Sequence, residues 1–228
     1  MENKILVYDC SLFGQALGRF LERELGVEVE RIVDLAKINE MSDREICQHV
    51  AKKIKPFIGK VAGVVIASPL VVSVVASELE KIFPEQEFVY LGKNMAEGIK
   101  GSNRIAVLTP PRIRRTERYQ VRKAAFQEAE VEELNCKEWL NLMDKGWWGE
   151  KKIENCFRHK LGMKVVIYHQ AMLLREKEVE EIVDWRGELV DGREEMLLSL
   201  RGVIKRNKRK QEQKARRALR ALKEMKKK

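Results

Sequence analysis

Short apolar runs alternate with stretches of helical period along most of this chain. Residues 4–9 read as a strand ending on Asp9, with residues 10–14 turning the chain. Phe13, Leu17, Phe20 and Leu21 then recur at helical spacing, and Gly26 stops that helix. Residues 27–33 predict a second strand, ending on Asp34. The Ser42-Asp43-Arg44-Glu45 run has the spacing of a capping box, in which a serine hydroxyl and a glutamate carboxylate satisfy each other's backbone amides at a helix start. Pro56 and Gly59 break the chain before a buried strand that runs into the corner Ala67-Ser68-Pro69-Leu70. A helix over about 71–82 follows, ending before Pro84, and residues 87–91 predict another strand.

The same alternation restarts after Gly101. Residues 105–108 predict a strand, Pro110 and Pro111 forbid helix at that point, and residues 115–128 are helical. Residues 131–134 make a weak strand, and residues 137–161 are helical or irregular, with Trp139, Trp147 and Trp148 concentrated there; Trp147 and Trp148 are expected to pack beneath the second half and not to form a binding platform. Residues 164–168 form a clear strand leading to His169 and a helix. Residues 189–191 are a last short strand, and a helix runs from Gly192 to the C-terminal end. This order predicts an α/β protein of two similar halves, each with a mainly parallel sheet, facing a central cleft. Residues 1–92 with 188–204 form the first half, 93–187 the second, and 205–228 a basic helical tail. Ligands of open α/β sheets bind at the carboxyl ends of the strands. Asp9, Cys10, Ser68 and His169 are therefore the candidates at the cleft.

Charge changes this picture in one place. The net charge is +10 over 228 residues, but residues 205–228 hold 13 Lys or Arg against Glu212 and Glu224. That segment is +11, which leaves −1 for residues 1–204. Lys205, Arg206, Lys208, Arg209, Lys210, Lys214, Arg216, Arg217 and Arg220 are candidates for contact with a polyanion, through release of the counterions condensed on nucleic acid. Ala215, Ala218, Leu219, Leu222 and Met225 add a thin apolar stripe at helical spacing. The tail has no aromatic residue for base stacking, so it predicts affinity for RNA or DNA with little sequence preference. The stripe also lacks Phe and Trp, which ranks an anionic membrane surface second.

Other classes are disfavoured. No stretch reaches the roughly 20 apolar residues needed to span a bilayer, so no transmembrane segment is expected. The opening run meets an acid after four apolar residues, which fits a strand and not a signal peptide. Cys10, Cys47, Cys136 and Cys156 lack metal-ligand spacing and read as cytoplasmic thiols; His49, His159 and His169 form no HxxxH pattern. Neither metal nor cofactor is expected.

Several segments resemble glutamate racemase, of the aspartate/glutamate racemase superfamily, in order and spacing over about residues 3–204. Val7-Tyr8-Asp9-Cys10 is similar to the family's strand ending in Asp-Ser. Val33-Asp34-Leu35-Ala36-Lys37 resembles its Gly-Asp-Thr-Ala-Arg. Val65-Ile66-Ala67-Ser68-Pro69-Leu70 resembles its Val-Val-Ala-Cys-Asn-Thr. The run from Val107 to Tyr119 follows its Val-Ile-Gly-Thr-Pro-Ala-Thr segment, residues 165–174 lie where it has Gly-Cys-Thr-His-Tyr-Pro, and Val190-Asp191-Gly192 resembles its closing Val-Asp-Ser.

The resemblance implies a cofactor-independent amino-acid isomerase fold, and a homodimer. It also implies two catalytic cysteines, one per half, moving the α-proton as thiolates. Here the first position holds Ser68. The second holds Tyr168 if paired leucines are aligned, or Ile167 if His169 matches the family's histidine. A hydroxyl is too weakly acidic to replace a thiolate without an activating base. Positions implied to hold substrate are also altered, to Asn39, Glu40, Met41, Pro69, Leu70 and Ile113, and Glu40 is expected to repel a glutamate carboxylate. The expectation is a glutamate racemase-like pseudoenzyme with a binding or assembly role, its basic tail contacting RNA or DNA. The alternative is an enzyme of altered chemistry, of the isomerase or lyase type, using Cys10, Asp9 or His169 on a small carboxylate. An active amino-acid racemase ranks last. Without a partner base Asp9 is expected to accept hydrogen bonds from the N-terminus of the helix that follows it; as a proton shuttle it would serve the alternative.

Overall fold

The structure is a computed structural model and describes residues 4–11, 13–92, 101–109, 111–124, 126, 129–134, 164–167, 189–190 and 192–225. Tyr168, His169, Asp191, Cys136, Cys156, Trp139, Trp147 and Trp148 lie outside these residues.

The chain runs β1 (Ile5–Asp9), α1 (Phe13–Leu25), β2 (Val29–Val33), a 3-10 turn (Ile38–Glu40), α2 (Asp43–Ile54), β3 (Gly63–Ile66), α3 (Pro69–Ile82) and β4 (Phe88–Tyr90). It continues through β5 (Arg104–Leu108), α4 (Pro111–Arg114), α5 (Glu117–Ala124), β6 (Glu130–Leu134), β7 (Lys164–Ile167), β8 (Leu189–Val190) and α6 (Arg193–Met225). All strand pairs are parallel. They form two four-stranded sheets of matching order, β2-β1-β3-β4 and β6-β5-β7-β8. The inner strands β1 and β3 are buried along their whole length. Burial on both faces is why they read as unbroken apolar runs and not as an alternation.

Local chemistry sets the element boundaries. Ser42 caps α2 in the anticipated capping box: Glu45 N donates to Ser42 Oγ, and Ser42 N donates to Glu45 Oε2 at 2.8 Å. Pro69 opens α3 at a position where a missing N–H costs nothing, since the first turn of a helix leaves its amides unpaired. The same reasoning overturns one expectation. Pro111 does not forbid helix; it starts the short helix α4. Of the helix expected over 115–128, residues 117–124 form α5; it is separated from α4 where the Thr116 hydroxyl accepts from Tyr119 N and donates to Ile113 O.

One buried apolar cluster is shared by both halves. It joins Leu6, Tyr8, Ile66, Leu70 and Val75 of the first half to Ile105, Val107, Ile113, Tyr119 and Val166 of the second. A second cluster lies under α6, where Met196, Leu200 and Val203 pack with Phe13, Leu17 and Leu21 of α1 and with Val65 and Val89. Gly63 makes room for this packing, because a Cβ there would lie 3.0 Å from Val203 Cγ1. Leu189–Val190 pairs with β7, so residues 189–190 belong with the second sheet, and α6 packs against the first. α6 is a single 33-residue helix, so the basic segment continues a helix already seated in the core.

Candidate functional site

The parallel strands bring the residues singled out in the sequence to one end of the first sheet. Asp34 N donates to Asp9 O at 2.7 Å and Ala67 N to Tyr8 O at 2.9 Å, which holds the ends of β2, β1 and β3 in line. Asp9, Asp34 and Ser68 are all buried there. Cys10 Sγ donates to Ser68 Oγ at 3.0 Å, so the two small polar side chains next to the cleft are used on each other.

Burial dominates the electrostatics of this corner. It pushes the Asp9 carboxyl up to about 7, against hydrogen bonds from the Cys10 and Ser11 amides and the Ser11 side chain that favour its charged form. These donors belong to the turn before α1. Ser11 Oγ also accepts from Phe13 N, the first residue of α1, at 3.2 Å. Burial also pushes the Cys10 thiol up to about 11, and the nearby Asp9 charge adds to it. Near neutral pH Cys10 is a protonated thiol, the unreactive form.

A second polar group, not recognised in the sequence, sits beside this corner. Asp34 Oδ2 accepts from Tyr8 Oη at 2.9 Å and lies 2.5 Å from His49 Nε2, while Oδ1 accepts from Ala36 N at 3.2 Å. Lys53 Nζ is 3.8 Å from Oδ1. Burial works against the Asp34 charge, but the hydrogen bonds from His49, Tyr8 and Ala36 outweigh it and hold the carboxyl below its ordinary range. The Tyr8 phenol is pushed up, first by burial and then by the Asp34 charge. His49 and Lys53 share a face of α2 at spacing i, i+4, which was the one sequence signal available. Their partner lies 15 and 19 residues away, so the pairing itself was invisible.

The altered positions 39–41 and 113 meet at the boundary of the two halves. Leu70 and Ile113 are buried in the shared apolar cluster, and Met41 packs against it. Arg112 reaches across from α4: Nη1 donates to Ile38 O at 3.2 Å and Asn39 O at 2.7 Å, and Nη2 donates to Met41 O at 2.7 Å. Its guanidinium also lies 3.4 Å from Asp43 Oδ1. The side chain of Glu40 is exposed and pairs with Lys37 at 3.1 Å. The expected repulsive carboxylate in the cleft is therefore not its role; Arg112 and the apolar trio close this edge instead. Beside it, on the outer side of α3, lies a groove of about 780 Å³ lined in part by Ser73, Ser77, Arg115 and Thr116.

The basic segment presents a different surface. Described side chains from Glu212 to Arg220 are all exposed. Arg206, at the start of this stretch, is tied down: Nε and Nη2 donate to the two Glu87 carboxylate oxygens at 3.1 and 3.0 Å. That pair holds the Glu87 carboxyl below its usual range, and makes Arg206 an anchor to the body. No group of His, Cys, Asp and Glu suited to a metal occurs among the described residues, and no helix among them is long and apolar enough to cross a membrane.

No protein-family model and no curated protein matches the sequence. Solved structures do match. The glutamate racemase of Francisella tularensis in complex with D-glutamate superposes with a TM-score of 0.76 at 17% identity, covering 91% of this chain and 83% of that one. The Aquifex pyrophilus glutamate racemase gives 0.65 at 21% identity, over 87% and 83%. A putative Asp/Glu racemase from Yersinia pestis gives 0.60 at 14% identity, over 90% and 98%. The fold is that of the glutamate racemases. The corner at Ser68 lies at the carboxyl end of β3, whose counterpart in the second sheet is β7; Thr109, buried, follows β5, the counterpart of β1.

Proposed function

We propose that this chain is a glutamate racemase-like protein without racemase activity, which binds nucleic acid through its C-terminal helix. The observation that carries the reading is the exposed cationic stretch of α6, which extends from a helix anchored by Met196, Leu200, Val203 and the Arg206–Glu87 pair. An anchored helix holds its charges in a fixed array, whereas a frayed tail would have to order them on binding. The loss of activity is supported by chemistry at the cleft. Ser68 stands where the resemblance implies the first thiolate, and the Cys10 thiol beside it is held in its protonated form. Leu70, Ile113 and Met41 put apolar groups where the resemblance implies contacts to substrate. Cys10 and Cys47 are thiols outside any disulfide, which fits a reducing, cytoplasmic setting.

The test is fluorescence anisotropy of labelled DNA and RNA with the full chain at about 0.1 M salt. Binding that weakens steeply with added salt supports the reading, and the absence of binding to either probe overturns it. A second reading, an enzyme of altered chemistry on a small carboxylate, is favoured by the near-neutral Asp9 carboxyl. It requires turnover that disappears in Asp9→Asn while the fold is kept.

A further inference from the structure

We infer that the nucleic acid the C-terminal helix takes is duplex DNA, with the helix lying as a preformed rod in the major groove; this rests on the nucleic-acid reading above. Four features of the helix lead to it. The first is shape. From Lys205 to Met225 the helix is unbroken, a length of about 30 Å at 1.5 Å per residue. An α-helix with side chains is about 10–12 Å across, which matches the roughly 12 Å width of the major groove of B-form DNA. The major groove of an A-form RNA duplex is deep and narrow and does not admit such a rod.

The second feature is access on all sides. Described side chains from Glu212 to Arg220 are exposed around the full circumference, so both walls of a groove can be contacted at once. The third is where the charges fall. Lys205, Arg209, Arg216 and Arg220 are spaced 4, 7 and 4 residues apart and share one face. Lys210 and Arg217, seven apart, form a second row about 100° around the axis. Lys208 and Lys214 flank the remaining sector from either side, and by helical spacing that sector takes Asn207, Gln211, Ala215, Ala218, Leu222 and Met225, none of them charged. An uncharged face with cations on both flanks suits approach to a groove floor between two rows of phosphates.

The fourth feature argues against a single strand. Sequence-tolerant single-strand binders stack bases on aromatic side chains, and residues 193–225 contain no Phe, Tyr or Trp. A rod fixed at its base by Met196, Leu200, Val203 and Arg206 cannot wrap a flexible strand either.

The experiment uses the full chain and three labelled probes of one mixed sequence, about 20 nucleotides long: a DNA duplex, its single strand, and the RNA duplex, at about 0.1 M salt. The expected result is DNA-duplex binding at least about tenfold tighter than either other probe. Equal or tighter binding of the single strand or the RNA duplex overturns the inference and leaves the nucleic-acid reading standing. Binding to none of the three, or only to anionic vesicles, overturns both. Ala215→Pro keeps every charge and breaks the rod outside the packed core. It is expected to remove the duplex preference while leaving single-strand affinity within about threefold; an unchanged preference overturns the inference. The triple variant R209Q/R216Q/R220Q is expected to lower the slope of log affinity against log salt by about 2.7, and an unchanged slope likewise overturns it.

Discussion

The strand-end corner of the first half and the C-terminal helix treat their polar groups in opposite ways. At the corner, Asp9, Asp34 and Ser68 are buried, and their partners are other residues of this chain. On the helix, cations stand in solvent, and Arg206 is held by a carboxylate of the body. Charges turned inward shift their proton affinities and set stability, while charges turned outward remain available to a partner. The two regions belong to one structure, because α6 packs against β3 and β4 of the same sheet whose strand ends form the corner. One sheet thus carries a packed polar corner at its strand ends and an exposed cationic helix against its other strands.

The comparison breaks most readily on salt. If the exposed cations engage about six phosphates, raising salt from about 50 to about 200 mM should weaken nucleic-acid binding about a thousandfold. A flat titration would leave the helix without the role proposed for it.

The next largest effect is at Asp9. Its carboxyl titrates near 7 in the folded chain against 3.8 ordinarily. Between those values the folded chain keeps a proton that the unfolded chain has released, so this group makes stability fall as pH rises from about 4 to about 7. The difference amounts to at most about 4 kcal/mol. Asp9→Asn should flatten that part of a urea-denaturation pH profile and be more stable than the parent above pH 7. Asp34 acts with the opposite sign in a lower window: its carboxyl is depressed, so its contribution is full above the ordinary carboxylate range and is lost as pH falls through its folded value.

Packing at the cleft should be worth somewhat less. Leu70→Ala and Ile113→Ala each remove a buried side chain and should cost about 3 kcal/mol in equilibrium denaturation. A cost near zero would mean that the two halves are not packed together there. Arg112→Ala should cost less, about 1–2 kcal/mol, since three backbone carbonyls lose a charged donor at a partly exposed site. Arg112→Lys should recover only part of that, because an ammonium cannot reproduce the fork that spans these carbonyls.

The strands along the chain, the capping box at Ser42 and the basic C-terminal helix could be read from the chain, because each is written in local spacing. What could not be read depends on distant partners. Arg112 is bonded to residues about 70 positions earlier, and Asp34 joins Tyr8 and His49 from two other elements. Pro111 was misread because a proline excludes helix in the interior but suits its first turn, and sequence alone left its position in the helix open. Glu40 was placed in the cleft by analogy, whereas the 3-10 turn directs it to solvent beside Lys37.

On the proposed reading the fold is kept without its proton-transfer chemistry. Proton NMR of D- or L-glutamate incubated with the full chain in deuterated water measures this directly. No loss of the α-proton signal above the protein-free blank is expected. Steady exchange that vanishes in Ser68→Ala or Cys10→Ala would contradict it.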